Sequence, residues 1–439
     1  VRLAASDKSG LTPNVVRPPG FQVWNSPLLA GDFDLDFGDP NEPLRPLRII
    51  GARNGAFSGK VMVGSTRPIR NLSATVSDLR SRSGDTIPAN AVQVRYAMPW
   101  RTEQFHPQYL SGSRVSPYPA PASALAALHE APSAEIKVAM PGEPRNCLQL
   151  PGQPKPEGGA VVGVWATVRV PAAARPGDYE GVLRIRAAGE KETPLSIQLR
   201  VADWTIPDPA DWRNWTEFLQ SPDTLALEYG VKPWSEEHFA LIGKSLRLLG
   251  EAGNRVLTIP LICGTHYGHE ETMVRWRDRG GGNYDWDFTV MDRYLDTAER
   301  SMGRPAIVAF YVWDVFLIPA DGGGGNWGKD DTDARGRETR HQRVAEALRD
   351  QLGKGPRVSM LQADGRSVKP FELPVYENPA SKAIWKALFD QLRERMRQRG
   401  LEQTMMLGVM SDGVPSRAQC AFFNEVSGGL PWVSHSHTM

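Results

Sequence analysis

Three carboxylates and two pairs of histidines stand at the downstream ends of apolar runs, the place where parallel β/α proteins keep their chemistry. Residues 403–410, Gln-Thr-Met-Met-Leu-Gly-Val-Met, run into Ser411-Asp412-Gly413, with Pro415 just beyond. An apolar run that stops at a turn signal reads as a buried parallel strand, and Asp412 then sits at its C-terminal lip. The pattern repeats. Residues 255–263 lead into Gly264-Thr265-His266, residues 305–313 end on Trp313 and lead into Asp314, and a run over 212–218 carries Trp215 and Glu217. His269 follows His266 in a loop dense in polar groups, while His435 and His437, two apart on an expected strand, point the same way. Polar groups at the ends and apolar bodies between them suggest an active-site face.

Each candidate has a plainer use. Asp412 could cap a helix that begins near Pro415. Glu217 could serve a structural salt bridge. Asp314 is either an acid beside a sugar-stacking Trp313 or the acceptor for a buried Trp313 indole. Residues 266–271 either contact sugar hydroxyls or form a solvated loop. His266, His269, His435, His437 and Asp412 could also gather round a metal-bound water. Nothing completes a familiar ligand order, so no metal and no other cofactor is expected.

Composition narrows the classes. Net charge is +1, from 51 Lys+Arg against 50 Asp+Glu, which implies no nucleic-acid partner. No stretch reaches the roughly 18 apolar residues of a membrane span, so no membrane partner is implied. The three cysteines, Cys147, Cys263 and Cys420, are too far apart for a zinc cluster or a disulfide framework. The sequence starts at Val1, and a leader already removed would fit a secreted or periplasmic protein.

At 439 residues two domains are the natural expectation. Residues 1–44 read as an arm and first strand. From 45 to 206 the signals are β: residues 60–63, 92–96, 161–170, 179–185 and the strictly alternating 195–201. Only 122–129 hints at a helix. Short strands punctuated by turns predict an antiparallel β-sandwich. Ile206-Pro207-Asp208-Pro209 then stiffens a boundary. Over 210–439 strands alternate with helices, as in a (β/α)8 barrel of the TIM type. Ser235 caps a helix on which Phe239, Ile242 and Leu246 share a face, and Gly253 stops it. A second helix ends at Gly303. A third opens at Asn378-Pro379 and ends at Gly400, and Asp364-Gly365 marks a hairpin before it. About five barrel strands are expected, near 213–218, 255–263, 305–313, 403–411 and 431–437. Fewer residues follow Pro209 than the roughly 250 of a typical eight-stranded barrel, so the barrel is expected to be incomplete at its C-terminus.

With both domains in view, the sequence resembles glycoside hydrolase family 123, the β-N-acetylgalactosaminidase-like enzymes, and the group beside it. The resemblance rests on Ala52-Arg53-Asn54-Gly55, Ser77-Asp78-Leu79 and Pro176-Gly177-Asp178-Tyr179-Glu180-Gly181 in the first domain. In the second it rests on Tyr229 to Phe239, whose Trp234-Ser235 and His238-Phe239 are the most specific part, and on Trp286-Asp287-Phe288. The resemblance implies a carbohydrate substrate and an Asp-Glu pair at a barrel strand end. In that pair the Asp steers the substrate's acetamido group and the Glu is the general acid/base. The similar position here reads Ser411-Asp412: Asp412 keeps a carboxyl for the acid role, but Ser411 cannot stabilise a cationic oxazolinium. An ordinary glycosidase needs two carboxylates, about 5 Å apart for retention and roughly 6.5–9.5 Å for inversion. Glu217 and Asp314 are the available partners for Asp412. A non-catalytic carbohydrate-binding protein is the other outcome the resemblance leaves open.

Overall fold

The computed structural model describes residues 16–99, 122–140, 157–265, 269–317, 354–410 and 414–435, with the side chains of Met410 and His435 outside that description. The chain divides into two compact units, 1–208 and 209–439.

In the first unit, one sheet is built from β1 (Phe21–Asn25), β3 (Gly55–Ser65), β8 (Val92–Pro99), β9 (Leu125–His129) and β11 (Ala160–Val170), in the order β1-β3-β11-β8-β9. The other holds β2 (Leu47–Arg53), β5 (Ser73–Val76), β6 (Leu79–Ser81), β7 (Thr86–Ile87), β12 (Gly177–Arg186) and β13 (Thr193–Thr205). A small pair joins β4 (Ile69–Arg70) to β10 (Glu135–Ile136). Leu195, Ile197, Leu199 and Val201 alternate inward on β13 and meet Val61, Val63, Val162 and Val164 of the other sheet in one core. Two sequence readings need correcting. Residues 125–129 form a strand, held in the sheet by pairing with β8. The layers are also not wholly antiparallel, because β2 runs parallel to β13. The chain reaches β3 from β2 through Asn54, whose left-handed backbone (φ 60°) suits an asparagine. The Asn54 amide donates to the Ile206 carbonyl at 3.0 Å and to Asp208 at 2.9 Å. The Ala52-Arg53-Asn54-Gly55 motif is therefore a corner.

The second unit begins with α1 (Pro222–Tyr229) and α2 (Glu236–Glu251). Four parallel strands follow in sequence order: β14 (Val256–Pro260), β17 (Ile307–Trp313), β20 (Met405–Met410) and β21 (Trp432–His435). Helices α3 (Thr289–Met302), α4 (Pro379–Gln398) and α5 (Arg417–Val426) alternate with them. A second small sheet, ordered β16-β15-β18-β19, joins two antiparallel hairpins: β15 (Arg275–Gly280) with β16 (Asn283–Asp287), and β18 (Arg357–Leu361) with β19 (Val368–Glu372). The second hairpin turns at Asp364-Gly365, where the Asp364 carboxylate accepts from the backbone of Arg366 and Ser367. Among the described residues the parallel sheet stays open and no barrel closes. The run expected over 213–218 contributes a single bridge, Thr216 beside Asn254. Among the described residues no helix is long and apolar enough to cross a membrane.

Candidate active site

The register fixes which strand ends are neighbours. Pro260 pairs with Tyr311, Trp313 with Val409, and Met410 with His435, so the C-terminal ends of the four strands share one edge. Asp314 follows β17 directly and is fully buried. Its Oδ2 accepts the Tyr311 hydroxyl at 2.7 Å, and its backbone carbonyl accepts the Leu317 N–H at 2.9 Å in a tight turn. The imidazole of His269 stands edge-on to the Tyr311 ring, with centroids 5.1 Å apart. Its Nδ1 lies 2.9 Å from the Thr265 hydroxyl. His269 takes a left-handed backbone (φ 49°), and its carbonyl accepts the Gly264 N–H at 2.8 Å. Arg357 donates to the Gly264 carbonyl at 2.9 Å, fastening the start of this loop to β18. A carboxylate, a phenol, an imidazole and a hydroxyl are thus brought together, groups that accept and give protons.

Other expected residues meet different fates. Asp412, Ser411, His266 and His437 lie outside the described residues, and of His435 only the backbone is described, in register with Met410. The helix that Asp412 could have capped in its plainer reading is capped by Ser416, whose hydroxyl accepts the Gln419 N–H while the Gln419 side-chain oxygen accepts the Ser416 N–H. Trp313 is a correction. Its ring is fully buried, which leaves no face for a sugar, and its indole donates to Gln419 at 2.9 Å and not to Asp314. Glu217 is another. Its neighbour Thr216 pairs with Asn254, before the first residue of β14, whereas Asp314 lies beyond the last. More than the length of β14 separates their levels, upwards of roughly 16 Å at ~3.3 Å per residue. Glu217 belongs to the opposite end of the sheet from Asp314 and does not flank the same bond. Trp215, half exposed, lies on that same segment.

Sequence reasoning passed over Tyr311, Thr265, Gln419 and Asp223. The first three had no visible signal, being ordinary residues in an apolar strand, a loop and a helix. Asp223 had one: Ser221-Pro222 is a cap followed by a pre-set first turn, and it opens α1. Burial pushes the Asp223 pKa up and the carboxylates of Glu270 and Glu271 add to it, against the opposing effect of the backbone N–H groups of Glu270 and His269. Burial likewise raises the Cys263 thiol to about 11, an inert core residue. Among the described residues no three of His, Cys, Asp and Glu gather as metal ligands do. An open groove of about 540 Å³ beside Asp78, Arg80 and Glu180 belongs to the first unit and has no aromatic side chain in its lining.

Residues 219–426 match the catalytic domain of glycoside hydrolase 123, and residues 48–187 match the N-terminal domain of glycoside hydrolase 123. The chain is a distant relative of glycoside hydrolase family 123. A solved structure of a family 123 glycoside hydrolase from Clostridium perfringens, described for glycolipid glycan hydrolysis, superposes with a TM-score of 0.65 at 13% identity. That match covers 94% of this chain and 63% of that one, so the chain spans less than two thirds of its family 123 counterpart. A family 5 xyloglucanase from Bacteroides ovatus is matched over 90% of this chain and 70% of its own, at 11% identity and a TM-score of 0.17. A PapD-like domain of human CEP192 is matched over 47% of this chain and 100% of its own, at 12% identity and also a TM-score of 0.17. No curated protein matches.

The most specific family 123 motif proves to be a joint. Gly230 ends α1 in the left-handed conformation, and Ser235 caps α2 by accepting the His238 N–H. His238 is buried and accepts the Trp234 N–H at Nδ1 (2.8 Å), so its neutral ring carries the proton on Nε2, facing the Pro222 carbonyl at 2.9 Å. The Trp234 indole donates to Glu271 at 3.0 Å.

Proposed function

We propose that this protein is a glycoside hydrolase, that its parallel sheet is part of a (β/α)8 barrel, and that its site is the C-terminal edge of that sheet. Asp412 is the proton donor in this reading. Its carboxyl protonates the glycosidic oxygen as the C–O bond breaks and positive charge builds on the anomeric carbon. Water then adds to that carbon and returns a proton to the Asp412 carboxylate. Asp314 supplies the second negative charge. Held by Tyr311 in a buried, low-dielectric setting, it stabilises developing positive charge without exchanging a proton. Where family 123 enzymes carry adjacent Asp and Glu, this chain would divide the two carboxylates between neighbouring strand ends, Asp314-Val315 and Ser411-Asp412.

The observation that carries this reading is the Ser416–Gln419 capping box. It removes the plain use for Asp412 and leaves a carboxylate just past β20, the strand paired with the one that delivers Asp314. Purified protein offered a panel of nitrophenyl glycosides and a glycolipid glycan should release sugar. Asp412→Asn should slow turnover by about 10²–10⁴ on the natural glycan, and less on nitrophenyl substrates whose leaving group hardly needs a proton. Full activity in Asp412→Asn would end the assignment. A second reading, non-catalytic glycan binding, is favoured by the complete burial of Asp314 and by apolar, buried Val315, Phe316 and Leu317 beside it. Glycan binding with no turnover by the unmodified protein would decide for it.

A further inference from the structure

Arg357, the first residue of β18, makes contacts that its own hairpin does not require. Its backbone carbonyl accepts the Cys263 N–H at 2.8 Å, and its guanidinium donates to the Gly264 carbonyl at 2.9 Å. Main chain and side chain thus grip consecutive residues beyond β14. The guanidinium also stands over the Phe316 ring, its carbon 4.9 Å from the ring centre, within reach of a cation–π contact. Gly264 makes room for it. A Cβ there would lie 3.0 Å from the guanidinium carbon, and the left-handed backbone (φ 64°) favours glycine in its own right.

The two residues that the guanidinium touches belong to the two segments that frame Asp314. Gly264 donates its N–H to the His269 carbonyl (2.8 Å), the His269 imidazole meets Tyr311, and the Tyr311 hydroxyl reaches Asp314 (2.7 Å). Phe316 sits in the tight turn after Asp314, which closes with the Leu317 N–H on the Asp314 carbonyl (2.9 Å). The contacts run in a closed circuit, out from Asp314 on one side and back on the other. Arg357 joins the halves.

We infer that Arg357 is a positioning residue: its guanidinium ties the segment that carries His269 to the turn that follows Asp314, and so keeps imidazole, phenol and carboxylate in register. The inference rests on the reading of that strand end as the site, but its geometry can be tested without any substrate. A guanidinium suits the task because it is always charged and can donate a hydrogen bond while it covers an aromatic ring, whereas a lysine ammonium is a compact point charge. Groups that act together on a reacting bond tolerate little displacement, and a shift of about 1 Å costs on the order of 10² in rate.

The experiment reads both halves of the circuit in the full chain of Arg357→Met, which keeps an apolar stem and removes the guanidinium. Histidine Cε1 is labelled with 13C, and the His269 resonance is assigned from a His269→Gln variant. Packed against Tyr311, that resonance should be ring-current-shifted in the unmodified protein. In Arg357→Met it should move toward the position of a solvated histidine while the His238 resonance stays in place. On the other half, the Leu317 amide should exchange about tenfold faster, the mark of one loosened hydrogen bond. A fastener of the hairpin alone would move neither. Should Arg357→Met fail to fold, Arg357→Lys decides. Its ammonium cannot serve both segments at once, so at least one of the Gly264 and Leu317 amides should exchange about tenfold faster. An unmoved His269 resonance or unchanged Leu317 exchange in a folded Arg357→Met, or unchanged exchange of both amides in Arg357→Lys, overturns the proposal. So does full kcat in Arg357→Met on a glycan that the unmodified protein cleaves. The spectroscopic readouts do not depend on turnover. An inactive unmodified protein whose His269 moves in Arg357→Met would sink the glycosidase reading and leave the positioning role standing.

Discussion

Lys60 in the first unit and Asp314 in the second are both charged side chains buried in sheets of apolar residues, and their surroundings differ in kind. Lys60 lies mid-strand on β3. Its ammonium donates to the Ala30 carbonyl and to Asp32, and it stands 5.3 Å from the centre of the Trp165 ring. Asp32 also accepts the Ser26 hydroxyl at 2.6 Å, so the charge is answered on the spot and staples the segment around Ala30 to the sheet. Asp314 lies past the end of its strand, against a phenol that itself meets an imidazole, at the end of a strand paired in parallel with β20. A charge neutralised inside a strand body is architecture. A charge held at the common end of parallel strands can be used, because the loops beyond it are free to bring a substrate.

The largest effect that would break this contrast is on turnover. With a substrate in hand, Asp314→Asn should lower kcat by about 10²–10³, as loss of a preorganised charge does, with melting little changed. Lys60→Met should leave kcat alone. Equal kcat losses in the two variants would erase the distinction.

Stability should show the opposite ranking. Lys60→Met leaves Asp32 buried without its cation, and breaking such a pair from one side costs about 3–5 kcal/mol. The double variant Lys60→Met/Asp32→Leu should recover most of that in denaturant unfolding. A single variant as stable as the parent would mean that the pair is not a staple.

Trp313 sharpens the comparison at the next level. Trp313→Phe removes volume from a packed site and takes from the Gln419 side-chain oxygen one of its two donors, leaving the Ser416 N–H, for a loss of roughly 1–3 kcal/mol. A sugar platform would behave differently, with KM raised and stability untouched.

The smallest effect is a pH dependence. The Asp223 pKa is raised above its ordinary 3.8 by burial and by Glu270 and Glu271, so the folded protein holds this proton more tightly than the unfolded chain. Its contribution therefore favours folding below about pH 4 and declines as pH climbs from there through the raised value, then stays level. Asp223→Asn has no such slope. Its stability relative to the parent should improve across that window, and a relative decline in urea titrations would reverse the assigned direction.

The local elements were legible in the sequence because their signals are local. Ser235, Gly253, Asn378-Pro379 and Gly400 mark helix ends by satisfying or releasing backbone groups within a turn, and α2 and α4 stop and start beside them. Asp364-Gly365 makes its hairpin for the same reason, and the apolar runs are the bodies of β14, β17 and β20. The levels of their ends were not legible. Glu217 and Asp314 both follow apolar runs, yet a single bridge at Asn254 puts one near the start of the sheet and the other beyond its end. The strand over 125–129 carries a pattern that tolerates a helix, and pairing with β8 settled it. Trp313 reads alike as platform or core until Gln419, 106 residues away, takes its indole. The site is of the same kind: His269 was legible as a polar loop residue, but Tyr311 and Thr265 are ordinary residues in the sequence and meet it only through folding. An apolar strand encodes that it will be buried, by transfer of its side chains from water, but its partners and register depend on hydrogen bonds and packing between distant segments, which no local pattern specifies.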